Sequence, residues 1–185
     1  MKQNILPAIR LTLVCIVLFM VIYPVIIWVI AKTAPAKGEG ETVTANGRVV
    51  GYKLEGQSFT QEKYFNGRPS AAGYNAAGSS GSNKGPTNPD YLKDVQSRID
   101  SFLIHNPTIA KAEIPSDLVT SSGSGLDPDI SLQGAMVQVD RIAKARKIDK
   151  ESVLSLIQKN IEESGFNKIK KINVLTINFA LDELK

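Results

Sequence analysis

Residues 11–31 read LTLVCIVLFMVIYPVIIWVIA, a run of 21 positions without a charge in which Thr12 is the only clearly polar side chain. An α-helix rises about 1.5 Å per residue, so roughly 20 such residues cross a hydrocarbon layer about 30 Å thick. Lipid offers no partners to backbone amides, which favours a helix because a helix pairs them internally. The run therefore predicts a transmembrane helix, and it separates the chain into an anchor and one further region.

Two other structures compete with this interpretation. A cleaved signal peptide has a shorter apolar stretch of about 7–15 residues and then a small-x-small cleavage site. Here the bulky segment Trp28-Val29-Ile30 ends the run, and the nearest candidate site, Ala34-Pro35-Ala36, contains a proline. A buried helix of a soluble core would show a polar face, and this run has none. The uncleaved anchor is the preferred interpretation.

The charges beside the span give little information about orientation. Lys2 and Arg10 precede it, and Lys32 and Lys37 follow it, so the positive-inside count nearly ties. The short N-terminal tail favours remaining in the cytoplasm while the long region is translocated. We expect a cytoplasmic tail (1–10), a membrane-spanning helix (11–31), a tether (32–41) and one extracytoplasmic domain (42–185).

Composition excludes several classes of function for that domain. Of the 22 basic residues in the chain, Lys2 and Arg10 precede the span, so 20 remain against 18 acidic residues. Nucleic acid binding needs a clustered basic surface, and the densest groups, 144–147 and 168–171, are predicted to be solvated helix ends. The only cysteine, Cys15, lies in the span, which excludes disulfides and cysteine metal sites from the domain.

The first part of the domain is predicted to contain a hairpin, a short helix and a long loop. Asn46-Gly47 between two β-prone stretches indicates a tight hairpin turn, and the spacing of Ser58 and Gln61 predicts a short capped helix through Tyr64-Phe65. Residues 66–89, NGRPSAAGYNAAGSSGSNKGPTNP, could form a flexible linker. A linker would separate two pieces that are each too small to fold alone, so an ordered, glycine-dependent loop packed on a partner is preferred.

Three amphipathic helices are predicted next. The first starts near Asp90 after a cap at Thr87 or Asn88, and the second carries the apolar positions from Leu132 to Ala143. The third is capped by Asp149, includes Ile161 and closes at Gly165. The β-rich stretch 172–181 is expected to add a strand to the early hairpin. This order predicts a single mixed α/β (α+β) domain after the one N-terminal helix.

Motifs of known enzyme chemistry are not found in the sequence. The run from Gly78 to Gly85 fails as a phosphate-binding loop because its Lys84 follows Asn83. No Asp-Lys-Thr-Gly-Thr stretch is present. The single histidine, His105, follows an amphipathic helix with no local signature of a Ser-His-Asp triad, so it is interpreted as a helix-end residue.

Two acidic residues and one small-residue segment are further candidates for ligand sites. Asp127 and Asp129 flank Pro128, and paired carboxylates can bind a divalent cation or act as acid and base. The further ligands of an EF-hand are missing, so both are interpreted as turn and helix-cap residues. The segment 121–125 before a predicted helix start gives only a weak signal for an anion site.

Three stretches resemble one known family. They are YFNGRPSAAGYNAAGSSGSN (64–83), VTSSGSGLDPDIS (119–131) and AMVQVDRIAKAR (135–146). Together with the N-terminal span and an Asn-Val-Leu-x-Ile-Asn stretch at 173–178, they resemble the C subunit of the Kdp-type potassium-transporting ATPase, in the same order and over essentially the whole chain.

The resemblance implies a non-catalytic accessory subunit of a high-affinity, ATP-driven potassium importer in the bacterial cell (inner) membrane. In that family the partners are a channel-like A subunit, a P-type ATPase B subunit and a small F subunit. The C subunit is implied to stabilise the assembly and, as a catalytic chaperone, to raise the ATP affinity of the B subunit. ATP is cytoplasmic, so we expect no cofactor bound directly by this chain, ATP and potassium at the level of the complex, and an effect transmitted as coupling between sites.

The two small-residue loops are expected to supply the partner surface, with Arg68 as the charged contact. Each loop could instead be internal scaffolding, because glycine-rich turns are often required by backbone conformation alone. The alternative functions are a membrane-anchored extracytoplasmic binding module, or a hydrolase that uses a serine, Asp127 or His105. No catalytic or metal site is expected. The candidate partner-binding residues are Asn66, Gly67, Arg68, Pro69, Ser70, Ser124, Gly125, Leu126, Asp127 and Pro128.

Overall fold

A computed structural model describes residues 4–34, 36–45 and 47–184. The chain divides into two compact units, one ending at Glu41 and one beginning at Thr42, and each is described by itself.

The first unit is dominated by one helix, Ile5–Ala31, with a mean hydropathy of 3.0 over its most apolar window. It consists of α1 (Ile5–Ile16), a π-helical segment (Val17–Ile22) and α2 (Tyr23–Ala31). Its apolar side chains are exposed, as a lipid environment requires. The helix begins six residues before the predicted span. The wider π turn lies just before Pro24, whose ring would clash with the carbonyl four residues earlier in a regular α-helix.

The second unit opens with the predicted hairpin. Strands β1 (Thr42–Ala45) and β2 (Arg48–Tyr52) pair antiparallel, with a bulge between Val43 and Thr44. Asn46 lies outside the described residues, and Gly47 has the positive φ of 74° that a tight turn demands. Among the described residues these two strands form a sheet of their own. The expectation that the C-terminal stretch joins them is wrong.

The prediction of a short helix through Tyr64-Phe65 is also wrong. The segment contains a single turn, with the Tyr64 amide donating to the Gln61 carbonyl at 3.1 Å. Tertiary partners take the next backbone donors: Phe65 N–H bonds Asn178 Oδ1 at 2.7 Å and Asn66 N–H bonds Gln138 Oε1 at 2.8 Å. Because Phe65 is fully buried and its amide is satisfied from outside, the extended form is favoured over a helical turn.

Helix α3 (Pro89–His105) is confirmed where the sequence predicted it. Asn88 caps it by accepting from the amides of Asp90 and Tyr91 at 2.9 and 3.1 Å, and Pro89 occupies the first turn. Phe102 packs against the main core. Two short 3₁₀ turns, Lys111–Glu113 and Ser116–Leu118, follow it.

The second predicted helix is split in two. Helix α4 (Leu132–Met136) and helix α5 (Val139–Arg146) are separated at Val137-Gln138. The buried Gln138 side chain bonds both the amide and the carbonyl of Asn66 and also donates to the Gly134 carbonyl, which holds the chain in the break. Arg146, predicted to be a solvated helix end, is largely buried and bonds the carbonyls of Lys63 and Leu181.

Helix α6 (Lys150–Lys159) follows Asp149 as predicted, but the Asp149 side chain makes no capping hydrogen bond within the described residues, and the helix ends before Ile161. Strands β4 (Ile161–Ser164) and β5 (Ile169–Asn173) form a hairpin instead, and β3 (Asp129–Ser131) completes an antiparallel sheet of order β3-β5-β4. The positive φ of Gly165, 72°, belongs to the hairpin turn rather than to a helix end. The basic group 168–171 therefore lies in a turn and a strand, which corrects the helix-end interpretation.

The C-terminal stretch is a helix, α7 (Val174–Glu183). Asn173 starts it by accepting from the Thr176 amide at 3.0 Å. The buried positions Val174, Ile177, Asn178 and Leu181 have the spacing of one helical face, which outweighs the β-branched composition.

The core lies among the sheet β3-β5-β4 and helices α4 to α7. This arrangement confirms a mixed α/β domain after one long apolar helix. Its fully buried side chains include Phe65, Ile130, Ile142, Val153, Ile157, Ile172, Ile177 and Leu181.

Candidate functional site

The two loops singled out in the sequence contact each other. Arg68 Nη1 lies 2.7 Å from Asp127 Oδ2, and both side chains are roughly a quarter to a third exposed. Ser70 Oγ donates to the Gly125 carbonyl at 2.6 Å, and the Ser122 amide donates to the Pro69 carbonyl at 3.1 Å. The first loop (66–88) and the second loop (119–128) therefore form one paired surface, which we call the loop pair.

The first loop is ordered by its own side chains. Ser70 Oγ accepts from the amides of Ala72 and Tyr74 at 3.2 and 2.9 Å. Tyr74 has a positive φ of 59°, and its hydroxyl donates to the Arg68 carbonyl at 2.6 Å. Burial raises the pKa of Tyr74, which keeps the hydroxyl in its donating form. This stretch is a defined turn system rather than a flexible linker.

A second set of contacts requires glycine at position 125. Ser79 Oγ and the Ser80 amide both donate to the Ser124 carbonyl, at 2.9 and 3.0 Å. Gly125 has a φ of 70°, and a Cβ there would lie 2.7 Å from the Ser80 carbonyl oxygen and 2.8 Å from Ala72 Cβ. A side chain would therefore be strained by its backbone and would also collide with the first loop.

The C-terminal end of the second loop is fixed to the start of β3, to Gly56 and to the first residue of α7. Asp127 Oδ1 accepts from the Asp129 amide at 3.1 Å, which is an Asx turn. The Leu126 carbonyl accepts from Gly56 N–H at 2.7 Å, and the Pro128 carbonyl accepts from Val174 N–H at 2.9 Å. The turn interpretation of Asp127 is confirmed, whereas the helix cap is Ser131, whose hydroxyl accepts from the Gly134 amide at 2.9 Å.

Asn66 connects the loop pair to a buried polar cluster that the sequence reasoning did not single out. Arg141 lies at its centre, with Nη2 donating to Asn66 Oδ1 at 3.0 Å and to Gln138 Oε1 at 2.7 Å. Its Nε donates to Asn106 Oδ1 at 3.2 Å, and its Nη1 bonds the Glu62 carbonyl. Burial lowers the pKa of Arg141, and the nearby charge of Glu62 opposes that shift.

A signal for this cluster was present in the sequence. Ala135, Gln138, Arg141 and Ile142 recur at helical spacing, so two polar residues occupy the face whose other members are buried. Polar residues on a core face need internal partners, because a buried polar group without one is costly.

Each acidic residue considered for chemistry is paired with a basic side chain. Asp129 pairs with Lys171 and Asp127 with Arg68, and the pairing with Asp129 raises the pKa of Lys171. His105 ends α3, as expected, and its Nδ1 contacts the Glu62 carboxylate. The described residues contain no group of three or more His, Cys, Asp or Glu side chains arranged to hold a metal ion.

The anion site considered at 121–125 lacks the helix it needed. The segment runs into strand β3, and the helix that follows, α4, has only five residues.

These features define a class: a membrane protein with one candidate span, whose second region is a small α+β domain with a paired loop surface. Residues 5–183 match the family model described as K+-transporting ATPase, c chain (KdpC), and the chain belongs to this family. Proteins named potassium-transporting ATPase KdpC subunit are similar to it along their whole length. One from Flavobacterium psychrophilum is 54% identical over 183 residues, covering 99% of this chain and 100% of the relative.

Two further relatives carry the same name. One from Bacteroides fragilis is 51% identical over 188 residues, covering 99% of this chain and 98% of the relative. One from Caldanaerobacter subterraneus subsp. tengcongensis is 41% identical over 189 residues, covering 100% of this chain and 98% of the relative. Family membership identifies an accessory subunit of the potassium-transporting ATPase at the membrane.

Proposed function

We propose that this chain stabilises the assembly of a high-affinity, ATP-driven potassium importer and has no catalytic role of its own. The partners are a channel-like A subunit, a P-type ATPase B subunit and a small F subunit. The observation that carries the proposal is the loop pair, because long irregular loops held in one shape are typical of binding surfaces. The names of the relatives support the choice of complex.

The proposed topology places the tail (1–10) in the cytoplasm, the span (Leu11 to Ala31) in the bacterial cell membrane, and the domain (42–185) outside. The segment 32–41 is the tether. Within the membrane, association with other helices depends on close packing rather than on hydrophobicity.

Arg68 is the proposed charged contact within the loop pair. One of its terminal nitrogens is engaged by Asp127, and 25% of the side chain is exposed. Its Nε is buried without a hydrogen-bond partner among the residues that the structure describes, so the donors open to a partner are those of the terminal nitrogens. A guanidinium carries five N–H donors, so the ion pair leaves donors for a carbonyl or carboxylate of a partner. The ion pair holds the side chain in place, and the remaining donors supply the contact. The other proposed partner-binding residues are Asn66, Gly67, Pro69, Ser70, Ser124, Gly125, Leu126, Asp127 and Pro128.

The same proposal includes a catalytic chaperone role. A domain outside the membrane does not reach cytoplasmic ATP, so a higher ATP affinity of the B subunit would be a coupling free energy between distant sites. Such couplings are typically about 1–3 kcal/mol, or roughly 5–150-fold in affinity.

The experiment compares two variants that break the same ion pair, Arg68→Gln and Asp127→Asn. The tagged chain is purified in mild detergent, the recovered A, B and F subunits are quantified, and the KM for ATP is measured. A direct contact through Arg68 predicts that Arg68→Gln loses more of the partners than Asp127→Asn at equal stability of the domain. Equal losses would contradict a contact made by Arg68 beyond its ion pair with Asp127, and recovery of the unmodified chain without companions would contradict the assembly function.

A second candidate, an extracytoplasmic binding module, is favoured by one observation. A cleft of about 470 Å³ lies beside the Glu62–His105 pair and is lined also by Ile104, Asp140 and Lys144. A ligand site there predicts that the purified chain binds small molecules without any pump subunit. Loss of all partners together with such binding would favour this candidate.

A further inference from the structure

The turn between β4 and β5 exposes apolar side chains that the fold does not use. Phe166 is fully exposed, and Ile169 is 64% exposed. At the other end of the same hairpin, Ile172 is fully buried in the core. We call residues 164–170, Ser-Gly-Phe-Asn-Lys-Ile-Lys, the hairpin tip.

The hairpin tip is basic as well as apolar. It contains Lys168 and Lys170 and no acidic residue, and both lysines are exposed. Glu163 lies opposite Lys170 in the strand ladder, whereas Lys168 is in the turn. Neither lysine makes an ion pair within the part of the chain that the structure describes. An aromatic side chain with flanking lysines is the composition that binds the interface of an anionic bilayer.

We propose that the hairpin tip inserts Phe166 and Ile169 into the headgroup region of a membrane that contains anionic lipids. The lysines then lie at the level of the phosphates, and their charge complements the surface. The proposed tether of ten residues extends over at most about 35 Å even when fully stretched, so the chain's own span confines the domain to the neighbourhood of a bilayer. The proposal depends on this anchor and not on the potassium-transporter assembly.

The test places a fluorescent reporter at the tip of the full chain. Because Trp28 is the only tryptophan, the double variant Trp28→Phe, Phe166→Trp carries a single indole at the tip. It is reconstituted in nanodiscs of phosphatidylcholine and phosphatidylglycerol whose acyl chains are brominated. The emission is expected to shift to the blue and to be quenched by about half, since interfacial side chains enter about 5–10 Å into the boundary between headgroups and acyl chains.

The matched control is Trp28→Phe, Thr87→Trp, which places the indole at an exposed position before α3. It should emit as in water and resist quenching. Adding Lys168→Gln and Lys170→Gln to the tip reporter should reduce its partitioning by roughly tenfold or more in anionic nanodiscs, because each lysine near such a surface contributes about fivefold. Discs of phosphatidylcholine alone should give the same loss.

Two results would overturn the proposal. One is an emission from the tip reporter that matches the emission of the Thr87→Trp control in anionic discs. The other is shielding of the tip indole only when the pump subunits are present, without bromine quenching, which would assign the hairpin tip to a protein partner.

Discussion

Replacing Arg141 by methionine tests whether the buried polar cluster holds the loop pair in place. The guanidinium joins α5 to two other segments, one through Asn66 and the Glu62 carbonyl and the other through Asn106. Methionine is unbranched like the apolar stem of arginine and ends at about the position of Nε, so the substitution removes mainly the charged group and its donors. The expected result is a loss of stability that includes the first loop.

The magnitude follows from the acceptors that lose their donor. Asn106 Oδ1 is buried and Asn66 Oδ1 is partly buried, whereas Gln138 Oε1 keeps the Asn66 amide as a partner. Each buried acceptor left unsatisfied costs about 1–3 kcal/mol. Burial lowers the pKa of Arg141, so removing its charge recovers part of the desolvation cost. The expected decrease in the free energy of unfolding is about 2–4 kcal/mol.

The assay is urea unfolding of the full chain in nanodiscs, followed by pulse proteolysis of the domain. Arg98→Met is the matched control, because Arg98 is only partly buried and its Nη1 donates to the Val119 carbonyl at 3.1 Å. That variant should lose about 1 kcal/mol or less. An equal loss in both variants would refute the assignment of Arg141 as the centre of the cluster.

Two further predictions concern the loop pair and the stability of the domain at low pH. Gly125→Ala should lower the free energy of unfolding by about 2 kcal/mol or more in the same assay, since its Cβ would meet the first loop and its φ is positive; Gly123→Ala, with open space at its Cβ, should have little effect. For Asp182, burial raises the pKa, but hydrogen bonds from Arg146 and Tyr64 outweigh it and the pKa is lowered. The ionised Asp182 side chain, held by Arg146 and Tyr64, therefore stabilises the fold at pH values above the unfolded pKa of about 3.9. This contribution to stability is lost as the pH falls further. The Asp182→Asn variant should be less stable at neutral pH, and its free energy of unfolding should fall less steeply below about pH 5 in a pH series of the same unfolding curves. A variant that loses stability below about pH 5 as steeply as the unmodified chain would contradict this.

Local signals in the sequence predicted the elements that depend on local physics. The apolar run required a helix, and Asn88 with Pro89 specified the start of α3. Asn173 was also a local capping signal, but the β-branched residues after it favoured a strand, and the helical spacing of Val174, Ile177 and Leu181 was missed. In this stretch the residue composition favoured a strand, whereas the spacing of the apolar residues favoured a helix. The stretch packs against the core as a helix, in agreement with the spacing.

Distant contacts explain what the sequence could not predict. Arg68 and Asp127 are 59 residues apart, and Arg141 bonds Asn66 from 75 residues away. Neither pairing has a local pattern, because each depends on how the sheet and helices bring separate loops together. The break between α4 and α5 has the same origin, since Gln138 is held by the backbone of Asn66.

The internal hydrogen bonds of the loop pair bear on binding as much as on stability. The segment 66–88 contains no helix or strand, so its shape depends on side chains such as Ser70, Tyr74 and Asn66. Ordering a flexible residue costs about 1–2 kcal/mol, and a surface that is ordered before binding avoids that cost when its partner arrives. Under the proposed function, a substitution that loosens the loop would weaken assembly even where the altered residue touches no partner. Loss of assembly therefore identifies a direct contact only when the stability of the loop is unchanged.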